Sequence, residues 1–257
     1  GRLGRANGFA FEEKVDNLFG SKAIPDYTTG FCGRQTRSKT DIFVTNRRRL
    51  SLKNSQNSTQ IQVCSYKRFS LFFDNISGST EQAMKLFFGV FAGNNNKANQ
   101  QEPFKAFCKS MGYDPSKLSQ KDEIRRGRML FTSMEKKHQK ALLSYIEKNK
   151  RKILEFTLST GFCDVKKYRD AKATIIGFSG VHDDPKTVNY YYIRDVVNEI
   201  TTKGTIKVRG SASVIEIGPV TLQMKGSGKT QVYHDLQFNM AWKDLKGFMT
   251  KQPVLLK

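Results

Sequence analysis

The stretch of sequence that decides the fold is SKTDIFVTNRRRLSLK, residues 38–53. Within it, residues 40–45 are rich in β-branched and aromatic side chains, which favours a strand. An asparagine and three arginines at 46–49 indicate a turn, and the alternating residues 50–53 predict a returning strand. The stretch therefore predicts an antiparallel hairpin.

Three polar residues of this hairpin are candidates for chemistry. Because side chains alternate along a strand, Ser51 and Lys53 share one face, and Asp41 faces them across about 5 Å. A carboxylate is a ligand for Mg²⁺, and a neighbouring lysine can orient or deprotonate water and neutralise a phosphate. Spacing alone favours a plainer alternative, an exposed cross-strand ion pair between Asp41 and Lys53 that is worth ~0–1 kcal/mol.

Hydrophobic periodicity outlines the rest of the chain. It predicts a helix at about 8–19, a strand at 60–66 and a helix at 79–91. A polar loop at 94–101 precedes a basic helical segment at 105–172. The final third predicts one short helix, at 194–200, and six strands, at 173–178, 190–193, 205–208, 213–217, 220–225 and 235–240.

This order of elements predicts the fold class and a division into regions. A helix, a sheet, basic helices and a further sheet indicate an α+β fold with two sheets. The three regions are a core at 1–93, a basic helical region at 94–172 and a β-rich region at 173–257, and we expect them to pack as one globular unit.

The charge of the chain favours a polyanionic partner. Lys and Arg number 44 against 23 acids, which gives a net charge of +21 over 257 residues. A membrane partner is disfavoured because no apolar run approaches the ~18 residues of a spanning helix. Since no signal peptide is visible and the four cysteines and three histidines lack the spacing of a zinc site, we expect a cytoplasmic protein with free thiols.

The basic helices are the predicted contact with phosphate groups. Basic residues dominate the segment 136–152, which favours phosphate contacts over a merely soluble face. We expect Ser133 to cap a helix here and His138 to be solvated. The basic cluster at the end of the segment comprises Lys148, Lys150, Arg151 and Lys152.

Several segments, in one order along nearly the whole chain, resemble a family of nucleases. Thr40-Asp41 followed by Ser51-Leu-Lys53 is similar to the PD-(D/E)xK nuclease signature. More specifically, the chain resembles the small monomeric type II restriction endonucleases of the HinP and Msp kind. The matching segments are GFAFE at 8–12, SKTDIFV at 38–44, the central helices at 125–150 with RMLFT and SYIEKNK, VTLQMKG at 220–226 and DLQF at 235–238.

This resemblance implies a fold and a role for each residue of the site. The fold would be a restriction-endonuclease-like mixed sheet flanked by helices, with a second, C-terminal β-rich recognition region. Asp41 would bind Mg²⁺, Lys53 would be the catalytic lysine, and Glu12 would assist from the inner or outer shell of the metal. Ser51 stands where the signature has an acid, a position relaxed to Gln or Asn in this subgroup. Without the resemblance, the helix dipole is sufficient to explain Glu12.

Ten residues are candidates for contacts with DNA. Arginine and lysine suit guanine and phosphate, and glutamine suits adenine, although a glutamine on a strand is also explained as ordinary surface. The candidates are Arg34, Lys39, Gln60, Gln62, Lys67, Arg209, Gln223, Lys225, Lys229 and Gln237.

Three functions stay open at the level of the sequence. The first is a bacterial, Mg²⁺-dependent endonuclease, a monomer that cuts double-stranded DNA at a short GC-rich palindrome such as GCGC or CCGG, as the resemblance implies. The second is a DNA- or RNA-binding protein with a decayed nuclease site, which the short, neutral Ser51 favours. The third is a structural basic protein, which accounts for the charge but not for the hairpin of Asp41 and Lys53.

Overall fold

The chain is of mixed α+β class, with two sheets and seven α-helices among the residues that the computed structural model describes. The described residues are 2–20, 22–23, 39–45, 48–54, 59–65, 69–70, 72–73, 76–88, 101–117, 128–161, 172–209, 214–224 and 235–256. The α+β class and the presence of two sheets agree with the sequence prediction.

The helices and strands follow one another along the chain with these bounds. The helices are α1 (Arg2–Phe19), α2 (Gly78–Phe88), α3 (Gln101–Ser110), α4 (Lys136–Lys148), α5 (Lys150–Glu155), α6 (Ile193–Lys203) and α7 (Trp242–Phe248). A π-helical turn, Phe156–Thr160, continues α5. The strands are β1 (Lys22–Ala23), β2 (Ile42–Thr45), β3 (Arg48–Lys53), β4 (Thr59–Ser65), β5 (Ile175–Ser179), β6 (Val188–Tyr192), β7 (Ile206–Val208), β8 (Val214–Ile217), β9 (Val220–Met224) and β10 (Asp235–Met240).

The first sheet is mixed, in the order β1-β2-β3-β5-β6. Strands β2 and β3 form the predicted antiparallel hairpin, with Ile42 opposite Leu50. Strand β5 lies parallel to β3, and β6 returns antiparallel to β5. A parallel neighbour cannot be joined by a tight turn, so the long chain between β3 and β5 makes a crossover.

One face of this sheet forms an apolar core under α1. Phe11 and Val15 of the helix pack in one cluster with Ile42, Leu50 and Leu52, all of them buried. Because strand residues alternate, Ser51 and Lys53 belong to the other face. The core therefore fixes which face of β3 carries the polar residues.

A glycine at the centre of the sheet is required by close packing. A Cβ atom on Gly177 would lie 2.9 Å from Val188, 3.0 Å from Leu52 and 3.0 Å from Tyr190. The side chains of β3 and β6 thus fill the space above β5, which brings these strands together without a gap.

The second sheet has the order β4-β10-β9-β8-β7. Strands β7, β8 and β9 follow one another as antiparallel neighbours, with Ile206 opposite Ile217 and Val214 opposite Gln223. Leu222 and Phe238 are among its fully buried residues. Local connections suffice to join β7, β8 and β9, whereas β4 reaches the sheet from a distant part of the chain.

The chain divides into two compact units, each assembled from separate stretches. One comprises 1–62, 150–204 and 239–257, and the other comprises 63–149 and 205–238. In the second unit, α2 packs on α4, and Leu86 and Leu142 are both fully buried. The three functional regions that the sequence predicts stay a prediction, since a packing unit is not a functional assignment.

Several local predictions are wrong. Ser133 does not cap α4: it ends a short 3₁₀ turn, extended residues follow at Met134 and Glu135, and the N-cap is Glu135 without a side-chain hydrogen bond. Arg48 and Arg49, predicted in a turn, belong to β3.

The predicted polar loop and the C-terminal helix also differ from the structure. Gln101, predicted in the loop, begins α3, and the rest of the predicted loop lies outside the described residues. Helix α7 has no counterpart among the predicted elements, and its Trp242 is largely buried.

Candidate functional site

The hairpin places Asp41 beside the polar face of β3. The backbone N–H of Asp41 donates to the carbonyl of Leu50 at 2.7 Å, which continues the pairing of β2 with β3 by one residue. The Asp41 carboxylate turns back onto the partner strand, where Oδ2 accepts a hydrogen bond from the N–H of Leu52 at 2.6 Å. Asp41 is therefore held at two points of the same strand.

Four polar groups converge on the Asp41 carboxylate. Burial of the carboxylate raises its pKa, and the cation of Lys53, the N–H of Leu52, the cation of Lys39 and the hydroxyl of Ser51 counteract that rise. Ser51 is buried and Lys53 is partly exposed. The structure thus brings together the three residues that the sequence predicts as the centre of the site, and adds Lys39.

Lys39 lies inside the site rather than on an open surface. It is 8% exposed, and its Nζ donates to the carbonyl of Ile61 at 2.5 Å. A Cβ atom on Gly161 would lie 2.9 Å from Oε1 of Gln62 and 3.2 Å from Cγ of Lys39, so the two side chains border this glycine. The sequence analysis predicts Lys39 as a DNA contact and not as part of the site around Asp41. The feature of the sequence that indicates the site is the position of Lys39 directly before Thr40-Asp41.

The wall beside the polar face is apolar. Ser51 pairs with Ile176, and Lys53 pairs with Phe178 on the parallel strand β5. The Phe178 ring stacks on Trp242 with centroids 5.7 Å apart and an interplanar angle of 18°. Such a wall lowers the local dielectric and strengthens each electrostatic interaction at Asp41.

A polar loop lies at the end of β3, next to Lys53, and sequence reasoning missed it. The N–H of Asp183 donates to Oδ1 of Asn54 at 2.7 Å, and His182 Nδ1 lies 3.1 Å from the Asn54 carbonyl. Asp183 has a φ of 62°, which is rare for a non-glycine residue, and it pairs with Lys14 of α1. The only signal in the sequence is a short acidic run after a strand.

The donor set fits Mg²⁺ in a limited way. No group of three or more His, Cys, Asp or Glu side chains that could hold a metal occurs within the described ranges. Asp41 supplies one carboxylate and Ser51 a hydroxyl. Since Mg²⁺ usually keeps several waters and binds one or two carboxylates plus substrate phosphates, this set fits an ion completed by water and phosphate.

Glu12 lies on α1, the helix whose Phe11 and Val15 pack on the opposite face of the sheet from Ser51 and Lys53. It is partly exposed. Its contribution to the metal stays a prediction.

The candidates for DNA contacts have different environments. Gln60 is exposed on β4, and Gln223 and Gln237 are partly exposed on β9 and β10. Arg209 donates through Nε to Oε1 of Glu216 at 2.6 Å, so an ion pair within the second sheet orients it. The candidates outside the described residues are Arg34, Lys67, Lys225 and Lys229.

The basic cluster after α4 is split between two roles. Lys150 is 7% exposed, and its Nζ donates to the carbonyl of Gly204 at 2.9 Å, so this amine closes the end of α6 and does not face a phosphate. Arg151 is half-exposed and donates to Oδ1 of Asn198 at 2.8 Å. The cluster therefore offers fewer open cations than its sequence suggests.

A cavity of about 440 Å³ adjoins this cluster. It lies at the end of β5 opposite to that of Lys53, since Thr174 precedes β5 and Ile193 begins α6. Its lining is Arg151, Glu155, Ser159, Lys172, Ala173, Thr174, Tyr192, Ile193, Arg194 and Val197. Three cations against one acid make it suitable for an anionic group.

His138 is fully buried, contrary to the expectation of a solvated residue. Its Nδ1 lies 2.8 Å from the Tyr113 hydroxyl, and its Nε2 lies 3.4 Å from Oε1 of Gln82. The Tyr113 hydroxyl accepts from the N–H of Glu135, so it can donate to Nδ1 of a neutral imidazole. Burial lowers the pKa of His138 in agreement with this neutral form.

The described cysteines do not offer a nucleophile. Cys64 and Cys108 are buried thiols that form no disulfide, as expected, and burial raises the pKa of the Cys108 thiol to about 12. Cys32 and Cys163 lie outside the described residues.

Neither family models nor curated proteins show a relative of this chain. No protein-family model matches the chain. No curated protein matches it either.

Among the residues described, no helix has the length and apolar character needed to cross a membrane.

Proposed function

We propose that the chain is a Mg²⁺-dependent endonuclease that hydrolyses double-stranded DNA. The observation that carries this proposal is the partly buried Asp41 carboxylate, which lies with the Ser51 hydroxyl on one face of a mixed sheet and interacts electrostatically with the cations of Lys53 and Lys39. A mixed sheet flanked by helices also agrees with the restriction-endonuclease-like fold that the sequence resemblance implies. The net charge of +21 supports a nucleic acid as the substrate.

The residues of the site divide the chemistry between them. Asp41 and Ser51 would hold the Mg²⁺ ion, which would polarise the phosphate and lower the pKa of a bound water. Lys53 orients the attacking water and neutralises charge that develops on the phosphate. The apolar wall of Ile176 and Phe178 excludes bulk water from the reacting group. The products would carry a 5′-phosphate and a 3′-hydroxyl.

The specificity and the assembly state follow from the resemblance and the charge. The resemblance supports a short GC-rich palindrome of the GCGC or CCGG type and a protein of the bacterial cytoplasm. Two copies would repel each other strongly, which supports a monomer that nicks one strand at a time. On a plasmid with a single site, open-circular DNA should then accumulate before linear DNA.

The test is cleavage of a supercoiled plasmid with Mg²⁺, followed by sequencing of the ends. We expect discrete fragments from the unmodified protein and none from Asp41→Asn. The matched control is Asp244→Asn, which changes an exposed aspartate of α7 in the same unit and should cut normally. Normal cleavage by Asp41→Asn would contradict the proposed site.

A second candidate function is a nucleic-acid-binding protein with a decayed nuclease site. Ser51 favours it, because a hydroxyl is a weaker metal ligand than the acid of the nuclease signature. In the same experiment, a binding protein without nuclease activity should slow the plasmid in a gel but leave it uncut at every Mg²⁺ concentration. A preference for RNA would instead favour the structural basic protein.

A further inference from the structure

Lys39 is a lysine with a buried amine in a polar cluster. A buried ammonium group is costly unless a hydrogen bond and an opposite charge compensate it. The carbonyl of Ile61, 2.5 Å from Nζ, supplies the hydrogen bond. The Asp41 carboxylate, which interacts electrostatically with Lys39, supplies the charge. The position of this cation is therefore built into the fold.

A glycine leaves the space that the Lys39 side chain fills. Gly161 has a φ of +51°, and its N–H donates to the Phe156 carbonyl at 2.6 Å, which ends the π-helical turn. A Cβ atom there would lie 3.2 Å from Cγ and 3.3 Å from Cε of Lys39. The stem of Lys39 is thus confined from Cγ to Cε, and the hydrogen bond to Ile61 fixes the position of its amine.

The charges around Asp41 do not favour a metal ion on their own. With all three groups ionised, the Asp41 carboxylate contributes −1 and Lys39 and Lys53 contribute +1 each, so the three residues sum to +1. A divalent cation that entered this group would meet two ammonium ions in a partly dry environment, where like charges repel strongly. A phosphodiester brings negative charge and ligand oxygens at once, which removes the obstacle.

We propose that Lys39 makes divalent-metal binding at Asp41 dependent on a bound phosphodiester, so that the nucleic acid binds first or together with the metal. This inference rests on the proposed function, since it takes the phosphodiester to be that of DNA. Lys39 acts through Asp41 and is a positioning residue. Free metal would then remain largely unbound until a substrate arrives.

The test measures metal binding, independently of cleavage. Mn²⁺ is titrated into the DNA-free protein and followed by electron paramagnetic resonance. The variants Lys39→Met and Lys39→Gln both remove the charge, and the glutamine keeps an N–H donor for Ile61. We expect either variant to bind Mn²⁺ about tenfold more tightly than the unmodified protein, because one like charge is gone.

A matched control is available within the same unit. Lys150 is also buried, with its amine on the carbonyl of Gly204, but it is not part of the Asp41 cluster. Lys150→Met makes the same chemical change and should leave Mn²⁺ affinity as it was. Unchanged affinity in folded Lys39→Met or Lys39→Gln would overturn the proposal, as would an equal gain in Lys150→Met.

The reverse coupling gives a second measurement. Thermodynamic linkage makes the coupling reciprocal. If bound DNA raises the affinity for the metal by a given factor, bound metal raises the affinity for DNA by the same factor. Ca²⁺ should strengthen the binding of a short duplex, followed by fluorescence anisotropy, about tenfold in the unmodified protein and clearly less in Lys39→Gln. If Ca²⁺ strengthens duplex binding equally in the unmodified protein and in Lys39→Gln, the proposed role of Lys39 is contradicted.

The two proposals fail in different ways. If Asp41→Asn leaves Mn²⁺ binding of Lys39→Gln unchanged, the metal does not use Asp41, and both proposals fall. The Mn²⁺ titration and the Ca²⁺ effect on duplex binding can both give the expected results while the unmodified protein never cuts DNA. In that case only the proposed nuclease function fails. If cleavage requires Asp41 but Lys39→Gln binds free Mn²⁺ no better, only the role of Lys39 fails.

Discussion

The two sheets of this protein differ in how they are built and in where their polar residues lie. In the first sheet, the N–H of Arg49 donates to Oγ1 of Thr174, a residue 125 positions away, and polar side chains are buried around Asp41. In the second sheet, β7, β8 and β9 are consecutive hairpins. Its Gln223 and Glu216 stay partly exposed, while Leu222 is buried.

This difference separates two kinds of role. A buried polar cluster is held in one geometry by the surrounding fold, which is what chemistry on a phosphate requires. Partly exposed polar residues on the locally connected strands β7, β8 and β9 can contact a ligand without supporting the fold. We therefore expect changes in the first sheet to remove cleavage, and changes in the second to alter recognition.

The largest expected effect is at Lys53. Lys53→Met should lower the rate of cleavage by about 100-fold or more, because a cation near the developing charge is lost. A higher Mg²⁺ concentration should not restore it. Lys207→Met, at an exposed lysine of β7 in the second sheet, is the matched control and should leave the rate nearly unchanged. Recovery at high Mg²⁺ would mean that Lys53 is only an ion-pair partner of Asp41.

The next effect concerns the packing that confines Lys39. Gly161→Ala and Gly20→Ala place the same side chain at φ values of +51° and +56°, but only the first meets neighbours within 4 Å. Both should lower the free energy of unfolding because of the positive φ, and Gly161→Ala should lose about 1 kcal/mol more, because its ψ of −134° lies outside the left-handed α region and a Cβ atom there is crowded.

Urea unfolding of the two glycine variants measures this difference. Gly247→Ala, at a helical glycine with open space around it, should be neutral or slightly stabilising. Equal losses at Gly161 and Gly20 would show that the space beside Lys39 can adapt.

A smaller effect is expected in the second sheet. Gln223→Ala should reduce the preference for the cognate DNA sequence by about 1 kcal/mol and leave the rate on bound DNA unchanged. Thr221→Ala changes a neighbouring partly exposed residue of β9 and serves as the control. The measurement is the relative rate on plasmids with one altered base pair. If Gln223→Ala lowers the cleavage rate without changing the preference for the cognate sequence, the assignment of cleavage to the first sheet and recognition to the second is contradicted.

The smallest effect concerns pH and the buried imidazole of α4. Burial lowers the pKa of His138 in the folded protein, so the unfolded chain binds the proton more tightly. The folded state should therefore lose stability as the pH falls below the ordinary histidine pKa of 6.5, until the lowered pKa is passed. Urea unfolding at pH 7.5 and at about pH 5.5 should show this loss.

Two variants isolate the contribution of His138. His138→Gln should lose less stability over this interval than the unmodified protein, whereas His182→Gln, at an exposed histidine, should keep the original dependence. An unaltered dependence in His138→Gln would mean that the acid sensitivity arises elsewhere.

Much of the local structure was predictable from the chain. The alternating residues of β3 and the β-branched residues of β2 indicate the hairpin, and its register follows from Ile42 and Leu50 on the apolar face. The helical spacing of Phe11 and Val15 indicates the buried face of α1. These predictions succeeded because each depends on residues that are near one another in sequence.

Other predictions failed because distant residues decide them. Nothing adjacent to His138 in sequence shows that Tyr113 and Gln82 surround it. Lys150 occurs in a basic run, yet the Gly204 carbonyl takes its amine. A charge pattern along a helix indicates the average character of a face, and an individual residue departs from it when a distant group supplies a hydrogen bond.

The sequence by itself determined the α+β class, the hairpin and the presence of Asp41, Ser51 and Lys53 on one of its faces, since strand alternation and side-chain character are local properties. Only the tertiary structure decided that β5 lies parallel to β3, that an apolar wall borders Lys53 and that Lys39 is enclosed beside Asp41. The physical reason is that burial and electrostatic environment depend on what the rest of the fold brings near a residue.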